Sequence, residues 1–357
     1  MTFAMSACGG SPASTIAAEV PAYGEHQDLT YVLDADGARR PIRTADVWRQ
    51  RRAHILLGMQ EAMGSLPRPE RPTPLDVQVV EESRADGLVR RKLSYHTDRK
   101  DQRVTAWLLM PKGAQRLPAV LCLHQTADEG KDHPIGLAGR PSLHYALELA
   151  KRGYVTLSPD YPSFGEYAYD FESDEYESGS MKAIYDNIRA IDLLQSLPEV
   201  DPERIGCIGH SLGGHNALFT AAFDERIKAV VTSCGFTRFA RYKGGDLTGW
   251  TSPRYMPRIA AVYGKSPERM PFDFPEVMAA IAPRHVLVVA PLHDDNFDVA
   301  GVRETIAAAS PIFDLLGASS ALRVVYPDDQ HDFPDRSRET AYQMFDEILR
   351  GSDETDP

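Results

Sequence analysis

The residues best placed to do chemistry are Gly209-His210-Ser211-Leu212-Gly213, a G-x-S-x-G pentapeptide. The apolar run Arg204-Ile205-Gly206-Cys207-Ile208 before it reads as a buried parallel strand. Residues 215–223 after it read as a helix packed close to a sheet. Strand, pentapeptide and helix together predict a nucleophile elbow. The turn forces the serine into a strained backbone, and the flanking glycines remove side chains that would clash there. The next residue's N–H and the helix N-terminus then lie near any oxyanion that develops. A serine hydroxyl needs a base oriented by an acid, and after a serine elbow these follow in the order acid, then histidine.

The first acids after the penultimate predicted strand are Asp294 and Asp295, within Leu292-His293-Asp294-Asp295-Asn296-Phe297. Asp294 is preferred as the orienting acid, with Asp295 and then Asp298 as alternatives. His331, in Gln330-His331-Asp332-Phe333, follows the last strand and is the last histidine of the chain, which makes it the expected base. The second oxyanion donor is expected from the loop His124-Gln125-Thr126-Ala127: the Thr126 N–H, with Gln125 as rival, paired with that of Leu212. His124 is expected to pack beneath this loop, and Asp160 to order its own. His210 and His215 flank the serine, but no Asp/Glu/His set has ligand spacing, so no metal is expected.

The elements that must position these groups alternate. Residues 45–63 predict a helix with Asp46 as N-cap, and the proline-rich residues 67–74 a linker. Residues 77–81, 89–97 and 103–110 predict an antiparallel meander. Residues 118–124, 154–158, 227–233, 285–290 and 322–326 read as buried strands, and 143–152, 181–197 and 338–349 as helices. This is an α/β chain: a doubly wound, mostly parallel sheet of about eight strands with helices on both faces. Residues 1–30 read as a flexible leader, 31–75 as a helical extension and linker, 76–350 as the catalytic domain and 351–357 as a tail. Residues 236–280 interrupt the alternation and read as an irregular cap. That cap, with Trp250, and the loop from Tyr161 to Tyr169 are expected to shape the substrate pocket. Trp250, Tyr161 and Gln125 are the candidate contacts.

The totals limit the partners. A chain of 357 residues with a formal charge of −12 lacks the basic surface that phosphate binding needs, so nucleic acid is not an expected partner. No apolar run approaches the roughly 20 residues that span a bilayer. Four cysteines make no disulfide framework in a chain this long. Met5-Ser6-Ala7-Cys8-Gly9-Gly10-Ser11 resembles a lipobox with only seven residues before the cysteine, and it predicts export if the true start lies upstream.

With these residues in place the chain resembles an α/β-hydrolase of the dienelactone-hydrolase and acetyl-xylan-esterase-like group. The resemblance covers residues 76–350. It is carried by Gly209-His210-Ser211-Leu212-Gly213-Gly214, the Val200-Asp201-Pro202-Glu203-Arg204-Ile205-Gly206 stretch before it, Ala282-Pro283-Arg284 and His331-Asp332-Phe333. It implies a cofactor-free serine hydrolase of carboxylic esters acting through an acyl-enzyme, with a small-molecule or carbohydrate ester as substrate. The chain departs from dienelactone hydrolases proper, which use a cysteine where Ser211 stands, and its His-Gln-Thr replaces the His-Gly of many relatives. A serine peptidase of the prolyl type and an acyltransferase share the core, but such peptidases carry a large repeat domain upstream and only about 75 residues precede this one. A non-catalytic binding member is the reading of a different kind, and the intact Ser–Asp–His order argues against it.

Overall fold

The computed structural model describes residues 21–173 and 175–351. The lipobox-like stretch at Cys8 lies outside them, as do the first twenty residues of the expected leader. Residues 21–30 are packed rather than free: Tyr23, His26 and Leu29 are buried. They lead into a short hairpin of β1 (Tyr31–Leu33) and β2 (Arg39–Pro41), which the sequence reading did not anticipate. Helix α1 (Ala45–Met63) follows, capped by the Thr44 side chain on the Val47 N–H rather than by Asp46. Its buried stripe of Trp48, Ile55, Met59, Ala62 and Met63 lies against the body of the protein.

Strands β3 (Gln78–Ala85), β4 (Leu88–Tyr95) and β5 (Val104–Pro111) form the antiparallel opening. Then come β6 (Leu117–Leu123), α2 (Tyr145–Lys151), β7 (Val155–Pro159), α3 (Gly179–Ser196), β8 (Val200–His210), α4 (Leu212–Phe223) and β9 (Ile227–Ser233). The short α5 (Arg258–Ala261) and α6 (Phe274–Ile281) precede β10 (His285–Val289). Helix α7 (Val299–Leu315), β11 (Leu322–Val325) and α8 (Asp335–Phe345) complete the chain order.

Nine strands form one sheet in the order β11-β10-β9-β8-β6-β7-β5-β4-β3, one more than the eight expected. β11, β10, β9, β8, β6 and β7 are mutually parallel. Their apolar residues are buried from both sides because helices cover both faces, which is why these strands read as unbroken hydrophobic runs. From β6 the chain first adds β7 on one side and then returns to add β8 on the other. The crevice beyond the carboxyl ends of β6 and β8 is therefore a topological switch point, where α/β sheets hold their ligands.

The segment read as an irregular cap is two things. Its first part consists of 3-10 turns at Phe239–Gly245 and Leu247–Trp250 and then α5. Its end, α6, is a fully buried helix of the body, started by a capping box between Asp273 and Glu276. The two rings of Phe219 on α4 and Phe274 on α6 stack 5.7 Å apart, joining this helix to the one that carries the elbow.

Candidate active site

Ser211 follows β8 with φ 53° and ψ −117°, a conformation that costs a non-glycine residue about 1–3 kcal/mol. The surroundings hold it there. Its N–H donates to the Ser233 carbonyl at 2.8 Å, and its own carbonyl accepts from the Gly214 and His215 N–H groups. The turn is so tight that a Cβ on Gly209 would lie 2.1 Å from the Gly213 carbonyl oxygen, and one on Gly213 2.0 Å from that of Leu123. The glycines are thus required by close backbone approach, between the two arms of the turn and between the elbow and the end of β6.

His331 reaches this serine from the loop after β11, with Nε2 2.9 Å from Ser211 Oγ. Its Nδ1 lies 2.9 Å from each carboxylate oxygen of Asp294, on the loop after β10. The two loops run side by side: the Leu292 N–H donates to Pro327 and the His293 N–H to Asp329. Arg140 steadies the histidine loop by donating to the His331 carbonyl at 2.8 Å and pairing with Asp332 at 3.1 Å. The Asp294 side chain is only 2% exposed. Burial alone would raise its pKa, but the His331 contact and the Asn296 and Phe297 N–H groups outweigh it and hold the carboxyl below its usual range. Asp295 is exposed and offers its backbone carbonyl to Lys243, while Asp298 caps α7 through the Ala300 N–H. Of the three candidate acids, Asp294 is the one brought to His331.

His210 packs its ring 5.0 Å from that of His331 and contacts Ser233 Oγ at 3.1 Å. Burial pushes its pKa well below the normal value, which favours the neutral ring beside His331. One set of side chains among the described residues, Cys234, Asp294 and His331, offers possible metal-ligand atoms within 4.8 Å of one another. The fit to a metal is poor: both His331 nitrogens are engaged, and burial raises the Cys234 thiol well above its usual range, keeping it protonated.

The oxyanion-side loop leaves β6 at His124. Among the described residues the N–H groups of Thr126 and Leu212 have no acceptor, which leaves both available at the cleft beside Ser211. That cleft has a volume of about 70 Å³, and its walls include Leu212, His215, Tyr242, Trp250, Tyr255 and Phe297. Trp250, one of the three expected substrate contacts, lines this cleft, and Tyr161 and Gln125 do not. Tyr161 is buried, with its hydroxyl on the Arg254 carbonyl at 2.6 Å, and Gln125 turns its amide onto His133 at 2.6 Å. The reading missed His215, one helical turn after the serine, and the cap residues Tyr242 and Tyr255. The i+4 spacing of His215 was the available signal. A larger groove of about 620 Å³, near Pro67, Arg99 and Tyr176, contains none of these residues.

A strained serine after β8, an aspartate after β10 and a histidine after β11 on this sheet define an α/β-hydrolase. The chain belongs to the prolyl oligopeptidase family, whose model it matches over residues 141–349. It is similar to the Bacillus subtilis protein YtaP, at 30% identity over 237 residues, covering 63% of this chain and 76% of that one. It is also similar to the acetyl esterase Axe7A of Xylanibacter ruminicola, at 29% identity over 187 residues, covering 46% of this chain and 40% of that one. In shape it resembles a glucuronoyl esterase from Solibacter usitatus, with a TM-score of 0.68 at 19% identity over 92% of this chain and 98% of that one. No helix among the described residues is long and apolar enough to cross a membrane.

Proposed function

We propose that this protein is a serine hydrolase of short-chain carboxylic esters whose alcohol is polar or a carbohydrate. The observation that carries the proposal is the His331 imidazole, 2.9 Å from Ser211 Oγ on one side and 2.9 Å from Asp294 on the other. Ser211 Oγ attacks the ester carbonyl as His331 Nε2 takes its proton. Asp294 holds the ring and stabilises the imidazolium. The N–H groups of Leu212 and Thr126 receive the oxyanion, and His331 returns the proton to the leaving alcohol. Water, activated by the same histidine, then releases the acid from the acyl-enzyme.

A short acyl group is favoured because the cleft beside Ser211 is small, about 70 Å³. Trp250 and Phe297 close it with bulky rings. A short acyl group accords with the name of the acetyl esterase this chain resembles, and a carbohydrate ester accords with that of the glucuronoyl esterase, whose sugar is the acyl part. Hydrolysis of p-nitrophenyl esters of rising acyl length, measured beside a panel of aminoacyl anilides, tests the reading. Acetate and propionate should be preferred, and Ser211→Ala should lose about a thousandfold or more in kcat while a fluorophosphonate label on Ser211 disappears. Faster cleavage of the anilides would move the assignment to a peptidase.

A further inference from the structure

His124 ends β6 with its ring buried and both nitrogens engaged on backbone. Nδ1 lies 2.6 Å from the Gln125 carbonyl oxygen, an acceptor only, so Nδ1 carries the proton. Nε2 lies 3.0 Å from the Tyr161 nitrogen, a donor only, so Nε2 carries the lone pair. The ring is therefore a neutral imidazole in one tautomer. Burial lowers its pKa, with the Asp160 carboxylate only partly opposing that, so the neutral form persists despite a charged neighbour.

The hydrogen bond to Gln125 has a geometric consequence. The Gln125 carbonyl and the Thr126 N–H belong to one planar trans peptide and point in opposite directions. A donor that holds the carbonyl inward holds the N–H outward, toward the cleft that Thr126 shares with Ser211 and Leu212. The other end of the ring anchors this hold. Tyr161 follows Asp160, whose carboxylate accepts from the Lys131 N–H and ammonium group at 2.9 and 2.8 Å. The Phe164 ring packs edge-on to His124 at 5.6 Å. We infer that His124 is the positioning residue of the oxyanion hole: its Nδ1–H sets the plane of the Gln125–Thr126 peptide, and its Nε2 ties that plane to the Tyr161 loop. This inference rests on the ester-hydrolase reading of the site.

Three variants separate this role from core packing. In His124→Asn the side-chain amide nitrogen falls near Nδ1 and keeps the donor to Gln125. In His124→Gln the amide falls near Nε2 and keeps only the contact to Tyr161, and His124→Leu keeps neither. Purified variants are compared by melting temperature, by kcat and KM on p-nitrophenyl acetate, and by the rate of Ser211 phosphonylation with a fluorophosphonate. Loss of an oxyanion donor costs about a hundred- to a thousandfold, so a misdirected one should cost about ten- to a hundredfold in kcat with KM within about twofold. Gln and Leu should show that loss in both kcat and phosphonylation, and Asn should recover most of it. Equal losses in Asn and Gln, or full activity in a folded Leu variant, would overturn the role. If Leu does not fold, the Asn–Gln comparison decides. A wild-type protein that reacts with the fluorophosphonate but cleaves no ester would sink the ester reading instead, while the phosphonylation rates would still rank the variants.

Discussion

Asp294 presents both carboxylate oxygens at 2.9 Å to His331 Nδ1, while the adjacent Asp295 is exposed and turned away. The cause is local. Asp294 Oδ1 also accepts the N–H groups of Asn296 and Phe297, which folds the chain into a turn around the carboxylate and throws the next side chain outward. Asp294→Asn should therefore reduce kcat on the order of 10⁴-fold, and Asp295→Asn should change it by less than about threefold. The check is kcat of the two variants on one short ester. Similar, mild losses in both would remove Asp294 from the mechanism.

Gly213 allows a second test of the elbow. Its Cα faces the Leu123 and His124 carbonyls, where an added Cβ would lie 2.0 and 2.8 Å from backbone oxygens. Neither oxygen can move without shifting the end of β6 and the loop it leads into. Gly213→Ala should thus lower kcat more than tenfold and reduce the melting temperature together. Wild-type kinetics in that variant would mean that the elbow and β6 are not held in this register.

A pH-dependent contribution to stability is expected far from the serine. His26 has Nε2 2.8 Å from the Met270 carbonyl and Nδ1 2.8 Å from Glu276 Oε2, so both nitrogens lie near acceptors, which favours the protonated ring. Glu276 in turn pairs with the buried Arg51 at 2.6 Å. Burial of His26 works against its charge, but the Glu276 hydrogen bond and the Glu276 and Asp273 charges outweigh it and raise the pKa above 6.5. A raised folded-state pKa stabilises fully below the unfolded value, and the gain is lost as pH rises through the folded value. The melting-temperature gap between wild type and His26→Ala should be widest near about pH 6, below the unfolded value, and narrow as the pH rises above it. A gap independent of pH would show that His26 is neutral in the folded protein.

Much of this arrangement was legible because the signals are local. The elbow is a contiguous pattern, and β9 and β10 are short runs of β-branched and apolar residues that match the structure at their starts, Ile227 and His285. Helix α7 escaped because Gly301 and Pro311 interrupt its pattern. The helix stands nonetheless, with the Asp298 cap at its start and Val302, Thr305, Ala309, Ile312 and Phe313 buried along one face. Gln125 and Tyr161 lie away from the cleft for a different reason. A loop sequence does not say which way its side chains turn, and here hydrogen bonds to His133, His124 and Arg254 hold these two residues. His215 passed as a flanking residue because its neighbours in the cleft, Trp250 and Tyr255, are 35 and 40 positions away in sequence.

Trp250 sits at two places at once, in the cluster that anchors the cap and in the wall of the cleft. Its ring lies 6.0 Å from Phe239, 5.7 Å from Tyr242 and 5.9 Å from Phe274, within the aromatic cluster that seats the cap on the body. It also lies 4.8 Å from His215 and forms part of the cleft beside Ser211. Trp250→Ala should accordingly lower stability by about 3–5 kcal/mol, the usual cost of emptying a large aromatic site. The vacated volume opens onto the cleft, so longer acyl chains should gain on acetate by about tenfold or more, the worth of one or two methylene contacts. Trp250→Phe keeps a ring in the cluster and should restore most of the melting temperature, while opening the cleft only partly. One melting curve and one acyl-length series on each variant read both effects. A lowered midpoint with unchanged acyl preference would leave Trp250 as an anchor alone, and a shifted preference at unchanged stability would leave it as a pocket wall alone.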